Sequence, residues 1–193
     1  DFILHGYKYA HEMTAPHLTV FGNSEVGEVF AECTRREMKE EVASTITFHT
    51  VGAFEEISFG DWKAYSFPAH HTSREPLLWL IERGGKRVLH LTDTGRVPDE
   101  SIDFLAKLQK RVDLVTVDCT FLWEDSDPNA RHMNLKEADH TIARLTRIGI
   151  VDDKTLKVIT HFSHNSAPSA EALARAEREY SFLAAYDGMQ LEI

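Results

Sequence analysis

Acidic and imidazole side chains follow several apolar segments of this sequence, at the point where each segment ends. Asp93, Asp118 and His161 each come directly after a short run of apolar and β-branched residues. A fourth such segment delivers the histidine pair His70-His71. Because the carboxyl ends of strands in layered α/β proteins form the crevice where ligands bind, we expect these side chains to converge. Together they make a nitrogen and oxygen ligand set that suits zinc, manganese or iron without a thiolate.

Each of these residues also has an ordinary structural interpretation. A single aspartate at a strand end is often a turn or helix cap, and for Asp118 both interpretations stay open. Asp93 lies in a Thr-Asp-Thr-Gly turn that aims one carboxylate away from a buried strand. Successive side chains of an extended segment point in opposite directions, so at most one of His70 and His71 is expected to be a ligand. His161 directly follows an apolar strand, so the alternative, that it is only a solvent-exposed histidine in a loop, is the weaker interpretation.

Two kinds of pattern describe the elements that must position these side chains. Short β-branched or aromatic runs separated by glycines come first, and β-α-β patterns follow. Gly84-Gly85 supplies the positive φ of a tight hairpin turn, and Asn134 with Glu137 resembles a capping box. The pattern predicts strands over 46–51, 54–59, 62–67, 77–82, 87–92, 113–119, 156–162 and 189–193, with helices over 24–43, 98–108, 134–149 and 168–184. Antiparallel strands followed by β-α-β units favour a layered α/β sandwich.

The composition indicates one globular domain and argues against several classes of protein. The chain has 193 residues, of which 42% are hydrophobic and 27% are charged, so disorder is excluded. Its 21 Lys and Arg against 31 Asp and Glu give a net charge of −10, which argues against an extended nucleic acid as partner. Cys33 and Cys119 form no Cys-x-x-Cys pattern, so no cysteine-rich zinc module is indicated. The apolar runs are far shorter than a membrane span of roughly 20 residues. No signal peptide opens the chain, which favours the cytoplasm.

Three short segments of the sequence resemble the metallo-β-lactamase fold. They are Thr92-Asp93-Thr94-Gly95, Asp118-Cys119-Thr120-Phe121 and Thr160-His161-Phe162-Ser163-His164. The last is similar to the Thr-His-x-Ser ending of the phosphodiesterase branch, which includes phosphoribosyl cyclic phosphodiesterases and tRNA 3′-processing nucleases. The Gly-His-Gly context of lactamases and glyoxalases is absent from the sequence. The resemblance implies an α/β fold, an αββα metallo-β-lactamase-like sandwich that lacks part of its N-terminal β-layer.

The same resemblance implies a centre of two divalent metal ions, zinc or manganese. In that arrangement His71 is the imidazole ligand of the first ion, Asp93 bridges both ions, and His161 is an imidazole ligand of the second. The expected reaction is phosphodiester hydrolysis by a metal-bridging hydroxide, because bound metal ions lower the pKa of water toward neutrality.

Further residues are expected to act on the phosphate. His132 resembles the non-ligand histidine of cyclic phosphodiesterases, which contacts the phosphate or protonates the leaving oxygen, and His164 is expected to support it. Asp118 is expected to orient a ligand imidazole or the loop that carries His132. The negative net charge favours a small or cyclic phosphodiester as substrate. The cations near these loops that could contact it are Arg74, Arg96 and Arg131.

One signature of the family is absent from the sequence. The His-x-His-x-Asp-His loop, which supplies three or four further ligands, occurs nowhere in residues 1–193, and Phe2 to Tyr7 resembles the stretch just after it. We therefore expect a single metallo-β-lactamase-like domain over 1–193 that is truncated at its N-terminus. Two alternatives stay open: a metallohydrolase of a lactone or thioester, and a degenerate member that is a non-catalytic scaffold. The choice of metal and a possible homodimer also stay open.

Overall fold

The computed structural model describes residues 17–38, 40–127 and 129–193. The stretch from Phe2 to Tyr7 lies outside the described residues. The chain forms two compact units, Asp1–Ala53 and Phe54–Ile193. None of the described helices is both long enough and apolar enough to cross a membrane.

The first unit contains two parallel strands joined by helices. Its elements are β1 (Leu18–Gly22), α1 (Ser24–Glu37), α2 (Glu40–Ala43) and β2 (Ile46–Thr50). Asn23 begins α1, because its side chain accepts a hydrogen bond from the Val26 N–H at 2.9 Å. The helix predicted over 24–43 is interrupted after α1, where Met38 has extended backbone. The sequence also predicts β2 in an antiparallel run, and this is wrong: a helical crossover joins β1 to β2, so they pair in parallel.

Among the described residues, the second unit contains a mixed seven-stranded sheet. Its strands, in their order across the sheet, are β3 (Glu56–Phe59), β4 (Trp62–Pro68), β5 (Leu77–Arg83), β6 (Lys86–Leu91), β7 (Leu114–Asp118), β8 (Leu156–Thr160) and β9 (Leu183–Ala184). Neighbours from β3 to β6 are antiparallel, whereas those from β6 to β9 are parallel. Gly84 and Gly85 turn β5 into β6 with φ of 58° and 81°, so the predicted glycine hairpin is confirmed.

Helices alternate with the parallel strands of this sheet. They are α3 (Asp99–Leu108), α4 (Leu135–Arg147) and α5 (Ala170–Tyr180). Leu89 and Leu91 of β6 and Val115 and Val117 of β7 are fully buried, and they share one hydrophobic core with Leu145 of α4. Every second strand residue therefore faces the core, as the period of a β-strand requires.

Local hydrogen bonds set the ends of the helices. The Asn134 side chain accepts a hydrogen bond from the Glu137 N–H at 2.9 Å, which confirms the predicted start of α4. The helix predicted over 168–184 stops earlier, because Ser181 adopts left-handed backbone and closes the last turn of α5. The strand predicted over 189–193 is wrong: that segment is irregular, and the short strand β9 completes the sheet instead.

The sheet topology places the carboxyl ends of four strands at one edge. Strands β6, β7 and β8 are parallel, and β4 runs in the same direction because two antiparallel pairings relate it to β6. The segments that follow these four strands therefore leave the sheet at the same edge, where α/β proteins bind ligands.

Candidate metal centre

Five side chains meet where the chain leaves β4, β6, β7 and β8. His71 follows β4, Asp93 follows β6, Asp118 ends β7, His161 follows β8, and His132 lies in the loop between β7 and α4. The Asp93 Oδ1 atom is 3.2 Å from His71 Nε2, 3.6 Å from His161 Nε2 and 3.8 Å from His132 Nδ1. Potential ligand atoms of the two aspartates, His132 and His161 lie within 4.8 Å of one another. The convergence expected from the strand ends is therefore present in the structure.

The Asp93 carboxylate stands on a turn that is tied to two neighbouring strand ends. The Thr94 hydroxyl accepts a hydrogen bond from the His70 N–H at 2.9 Å, and the Gly95 N–H donates to the His70 carbonyl at 2.9 Å. The Thr94 N–H also donates to Asp118 Oδ2 at 3.3 Å. These bonds fix the turn while the Asp93 side chain stays 56% exposed and faces the imidazoles.

Gly95 allows the loop that carries His132 to approach this turn. A Cβ atom at position 95 would lie 2.0 Å from the Ala130 carbonyl oxygen and 3.0 Å from His70 Nδ1. Because a backbone atom cannot yield as a flexible side chain can, any larger residue here would displace the loop. Glycine is therefore a condition for the contact between the Asp93 turn and the His132 loop.

Asp118 is a fully buried carboxylate, and donors occupy both of its oxygens. Oδ1 accepts hydrogen bonds from the Thr120 N–H, the Thr120 hydroxyl and the Met133 N–H, each at 3.0 Å. Oδ2 lies 3.0 Å from His132 Nδ1 and 3.4 Å from His161 Nδ1. Burying a charge is unfavourable unless it is paired in this way. The contacts suit a group that orients imidazoles better than one that holds an ion itself.

The three imidazoles pack against one another. His132 stacks on His161 with ring centroids 5.3 Å apart and planes 20° apart. His71 meets the His132 ring edge-on at 5.1 Å, and Phe121 meets it edge-on at 6.0 Å. This packing restricts the ring planes, so each imidazole presents a defined nitrogen to the space beside Asp93.

Backbone strain is present at two of the converging residues. Asp93 and His161 have φ of 60° and 65°. Gln109 and Ser181 share this left-handed conformation, but they are helix C-caps, where it is common. Outside helix C-caps the same conformation costs about 1–3 kcal/mol in a non-glycine residue, and such strain clusters at functional sites. Its presence at both residues supports a functional role for this edge of the sheet.

Thr120 is a member of the cluster that the sequence patterns did not identify. Its Oγ1 atom lies 2.9 Å from His161 Nδ1 and 3.0 Å from Asp118 Oδ1. A threonine two residues after an aspartate is also ordinary in a turn, so no local signal distinguishes it. Only the approach of His161, which is 41 residues away in the chain, makes the hydroxyl part of the site.

Arg131 lies beside the cluster, and two other predicted residues, His164 and Arg74, are exposed. The Arg131 Nη1 atom donates to the His71 carbonyl at 3.0 Å. Burial lowers the pKa of His70, and the nearby Arg131 cation lowers it further. His164 is exposed at the start of a 3₁₀ turn, and Arg74 is exposed in the segment after β4. The roles expected for His164, Arg74 and Arg131 stay predictions.

Arg96 is held by a carboxylate of α4. Its guanidinium makes two hydrogen bonds to the Glu137 carboxylate, at 2.9 and 3.0 Å. The pair lowers the pKa of Glu137 and raises the pKa of Arg96, in each case chiefly through these hydrogen bonds. The substrate contact expected of Arg96 stays a prediction, and in the structure this guanidinium links the segment before α3 to α4.

The donor set fits a divalent cation and contains no thiolate. His71 Nε2, Asp93 Oδ1 and His161 Nε2 are nitrogen and oxygen donors of the kind that bind zinc and manganese. Cys119 is fully buried, and burial together with the Asp118 charge raises the pKa of its thiol to about 12. Its thiol therefore stays protonated and is neither a ligand nor a nucleophile.

The fold and the site together define a metal-binding class of α/β protein. A mixed sheet with helical crossovers brings imidazoles and carboxylates together at the carboxyl ends of its strands. The chain belongs to the β-lactamase superfamily, because the family model described as "Beta-lactamase superfamily domain" matches residues 4–162. No curated protein sequence matches the chain.

Three solved structures illustrate the fold. The metallo-β-lactamase fold protein YhfI from Bacillus subtilis has a TM-score of 0.60 at 16% identity over 89% of this chain. A diphosphatase of the PhnP family has a TM-score of 0.63 at 16% identity over 98%, and unliganded yeast PDE1 has a TM-score of 0.66 at 12% identity over 92%. The chain spans 62%, 64% and 60% of the length of these proteins. At these identities the likeness concerns the fold alone, and it confirms the predicted metallo-β-lactamase-like fold.

Proposed function

We propose that this protein is a metal-dependent hydrolase that cleaves a small or cyclic phosphodiester. The observation that carries the proposal is the convergence of His71, Asp93 and His161 beside His132, which the buried Asp118 carboxylate holds. The proposed cation site would then lie next to a candidate proton donor. This combination suits phosphodiester hydrolysis, in which charge on the phosphoryl oxygens must be offset and an alkoxide must leave.

His71, Asp93 and His161 are the residues that would hold the metal. Asp93 faces both imidazoles, so its carboxylate is the ligand that two divalent ions would share. Bound ions of this kind supply a nucleophile from water near neutral pH and offset phosphoryl charge. The hydrogen bonds of Thr94 and Gly95 keep the Asp93 turn rigid, so the carboxylate needs little rearrangement to bind. We name both zinc and manganese because nitrogen and oxygen donors bind either ion.

His132 is the residue that would contact the phosphate or protonate the leaving oxygen. Its Nδ1–H donates to Asp118 Oδ2 at 3.0 Å, which leaves Nε2 as the atom for the substrate. This hydrogen bond orients the His132 ring, as a buried aspartate does for an imidazole in other hydrolases. His132 can then transfer a proton from Nε2 to a departing alkoxide. His164 would assist at the phosphate side, three residues after His161.

Charge and fold together support a small phosphorylated substrate. Arg131 places a guanidinium beside the His71 carbonyl, where it adds positive charge next to the cluster. The net charge of −10 disfavours a long polyanion, whose binding needs many clustered cations. The structural neighbour described as a PhnP-family diphosphatase supports phosphoryl chemistry on this fold.

The test uses the full-length protein after loading with zinc or with manganese. Elemental analysis gives the metal content per chain, and a substrate panel compares cyclic nucleotide and bis-p-nitrophenyl diesters with a lactone, a thioester and a β-lactam. We expect bound metal and diester cleavage that is lost in Asp93→Asn and in His132→Ala. His140→Ala is the matched control, because His140 is an exposed α4 histidine outside the cluster.

Each other outcome would replace the proposal. Cleavage of the lactone or thioester with no diester cleavage would make the protein a metallohydrolase of carbonyl compounds. No bound metal after loading would favour a non-catalytic scaffold, and His71, Asp93 and His161 would then be structural residues.

A further inference from the structure

We infer that Thr120 is a positioning residue that holds His161 in the tautomer with a proton on Nδ1, so that Nε2 is available to a metal ion. The inference deepens the proposed function and rests on the metal site proposed there. Thr120 touches neither substrate nor metal in this scheme, and it acts only through the imidazole of His161.

The inference follows from the hydrogen bonds that the Thr120 hydroxyl can make. Oγ1 has three polar neighbours: Asp118 Oδ1 at 3.0 Å, the His161 carbonyl at 3.0 Å and His161 Nδ1 at 2.9 Å. A hydroxyl donates one hydrogen bond and accepts up to two. The carboxylate and the carbonyl can only accept, so a hydroxyl that donates to one of them can only accept from Nδ1.

The opposite arrangement is unfavourable on three counts. If the hydroxyl donated to His161 Nδ1, neither the Asp118 carboxylate nor the His161 carbonyl could receive its proton. An unprotonated Nδ1 would also direct its lone pair at the negative Asp118 Oδ2 atom, 3.4 Å away. Thr120 is buried, so water does not replace the lost hydrogen bonds. A proton on Nδ1 lets the hydroxyl accept from the imidazole and still donate to one of the two oxygens, and a neutral imidazole then leaves Nε2 as an acceptor on the side of Asp93.

The two oxygens of Asp118 do not make Thr120 redundant. Asp118 Oδ2 already accepts from His132 Nδ1 at 3.0 Å and from the Thr94 N–H at 3.3 Å. Its contact with His161 Nδ1 is longer, at 3.4 Å, than the 2.9 Å contact that Thr120 makes. Asp118 is therefore the main partner of His132, and Thr120 is the main partner of His161.

Thr120 also holds the backbone of His161. Its hydroxyl lies 3.0 Å from the carbonyl of this strained residue, and the Thr120 carbonyl accepts from the Ser163 N–H at 3.2 Å. A β-branched side chain has few χ1 rotamers, so the hydroxyl keeps its direction. Thr120 thus contacts the ring of the proposed ligand through its hydroxyl and the main chain beside it through its carbonyl.

The experiment compares Thr120→Val, which keeps the shape and removes the hydroxyl, with Thr120→Ser, which keeps the hydroxyl. Thr116→Val is the matched control, because Thr116 Oγ1 makes an equivalent contact with His90 Nδ1 at 2.7 Å on β7. In full-length, metal-free protein, two-dimensional ¹⁵N–¹H spectra report which nitrogen of His161 carries the proton. These are recorded above the ordinary imidazole pKa of about 6.5. Competition with a chromophoric chelator then gives the affinity for zinc.

We expect the Nδ1–H tautomer in the parent, in Thr120→Ser and in Thr116→Val, and a mixture or the Nε2–H tautomer in Thr120→Val. Zinc affinity should fall by about 10–100-fold in Thr120→Val, the usual effect of losing a partner of a metal ligand. It should recover in Thr120→Ser. An Nε2–H tautomer in the parent would overturn the inference, and so would equal losses in Thr120→Val and Thr120→Ser. A tautomer that depends on Thr120 in a protein that binds no zinc would refute the proposed function and leave the positioning of His161 standing.

Discussion

Replacing Asp118 by asparagine tests whether one buried carboxylate sets the state of two imidazoles. The change keeps the size of the side chain but puts an NH₂ group where an accepting oxygen stood. At the Oδ1 position this group would face the Thr120 N–H and the Met133 N–H, which would lose their acceptor. At the Oδ2 position it would face Nδ1 of His132 and of His161. The second placement is favoured, because an imidazole can change tautomer and accept a hydrogen bond whereas a backbone N–H cannot.

The favoured placement predicts a modest loss of stability and a larger loss of metal affinity. Only one backbone donor loses its acceptor, the Thr94 N–H, which donates to Oδ2 at 3.3 Å. A buried donor without an acceptor costs about 1–3 kcal/mol, and in a chain of this length that lowers the Tm by about 2–12 °C. The amide also faces His161 Nδ1, which Thr120 otherwise keeps protonated; wherever this nitrogen accepts from the amide instead, Nε2 carries the proton and cannot bind a cation. Zinc affinity should therefore fall by about 10–100-fold in Asp118→Asn.

Thermal melting of the metal-free protein and calorimetric titration with zinc measure these two quantities. Asp113→Asn is the matched control, because Asp113 also accepts a backbone N–H, from Arg87 at 2.9 Å, but precedes β7 at the opposite end of the strand. The control should melt slightly lower and bind zinc as the parent does. Unchanged zinc affinity in Asp118→Asn, or an equal loss in the control, would refute the reasoning.

Three further predictions concern packing, thiol reactivity and pH. Gly95→Ala should lower stability by about 1–3 kcal/mol, the range for overpacked sites, because its Cβ would meet a carbonyl oxygen at 2.0 Å; a melting temperature equal to that of the parent would contradict this. In native protein a thiol reagent near pH 8 should modify the partly exposed Cys33 and not the buried Cys119, whose pKa is raised to about 12; two thiols reacting at one rate would show that the second is accessible. The Arg96 pairing lowers the pKa of Glu137, so its stabilising contribution is present above the ordinary carboxyl pKa of about 4.3 and is lost as the pH falls through the lower pKa of the folded state. Between neutral and acidic pH the Tm should then fall less in Glu137→Gln than in the parent. An equal fall in Tm in the two proteins would show that the pair adds no stability.

Turns and helix caps that depend on short-range contacts are predicted correctly from the sequence. The glycine pair at 84–85 and the Asn134 cap were predicted because each depends on contacts within a few residues of the chain. Strand ends at Asp93, Asp118 and His161 were also visible, since a run of apolar residues stops there. The general rule for α/β proteins then placed these ends at one edge of the sheet.

Errors in the predicted elements arose where a distant contact or a backbone reversal decided the outcome. The pairing of β1 with β2 depends on a crossover, and an apolar run does not show whether its partner is parallel or antiparallel. The helix predicted over 168–184 was too long, because Ser181 adopts a left-handed conformation that its residue type does not favour. Parallel pairing with β8 then gave β9 its strand, whereas 189–193 has no such partner in the described sheet.

The sequence by itself determined which groups are available to this site: imidazoles and carboxylates at strand ends, no cysteine-rich zinc module, and the motifs of a metal-binding superfamily. Only the tertiary structure decided what each group does. In the folded chain His71 faces Asp93 and Arg96 pairs with Glu137. Asp118 contacts the imidazole of His132, and Thr120 contacts that of His161. The physical reason is that a hydrogen bond requires its donor and acceptor atoms to lie within a few tenths of an ångström of the ideal distance, with the proton on the right nitrogen. Strand register brings such atoms together from positions that are tens of residues apart in the chain.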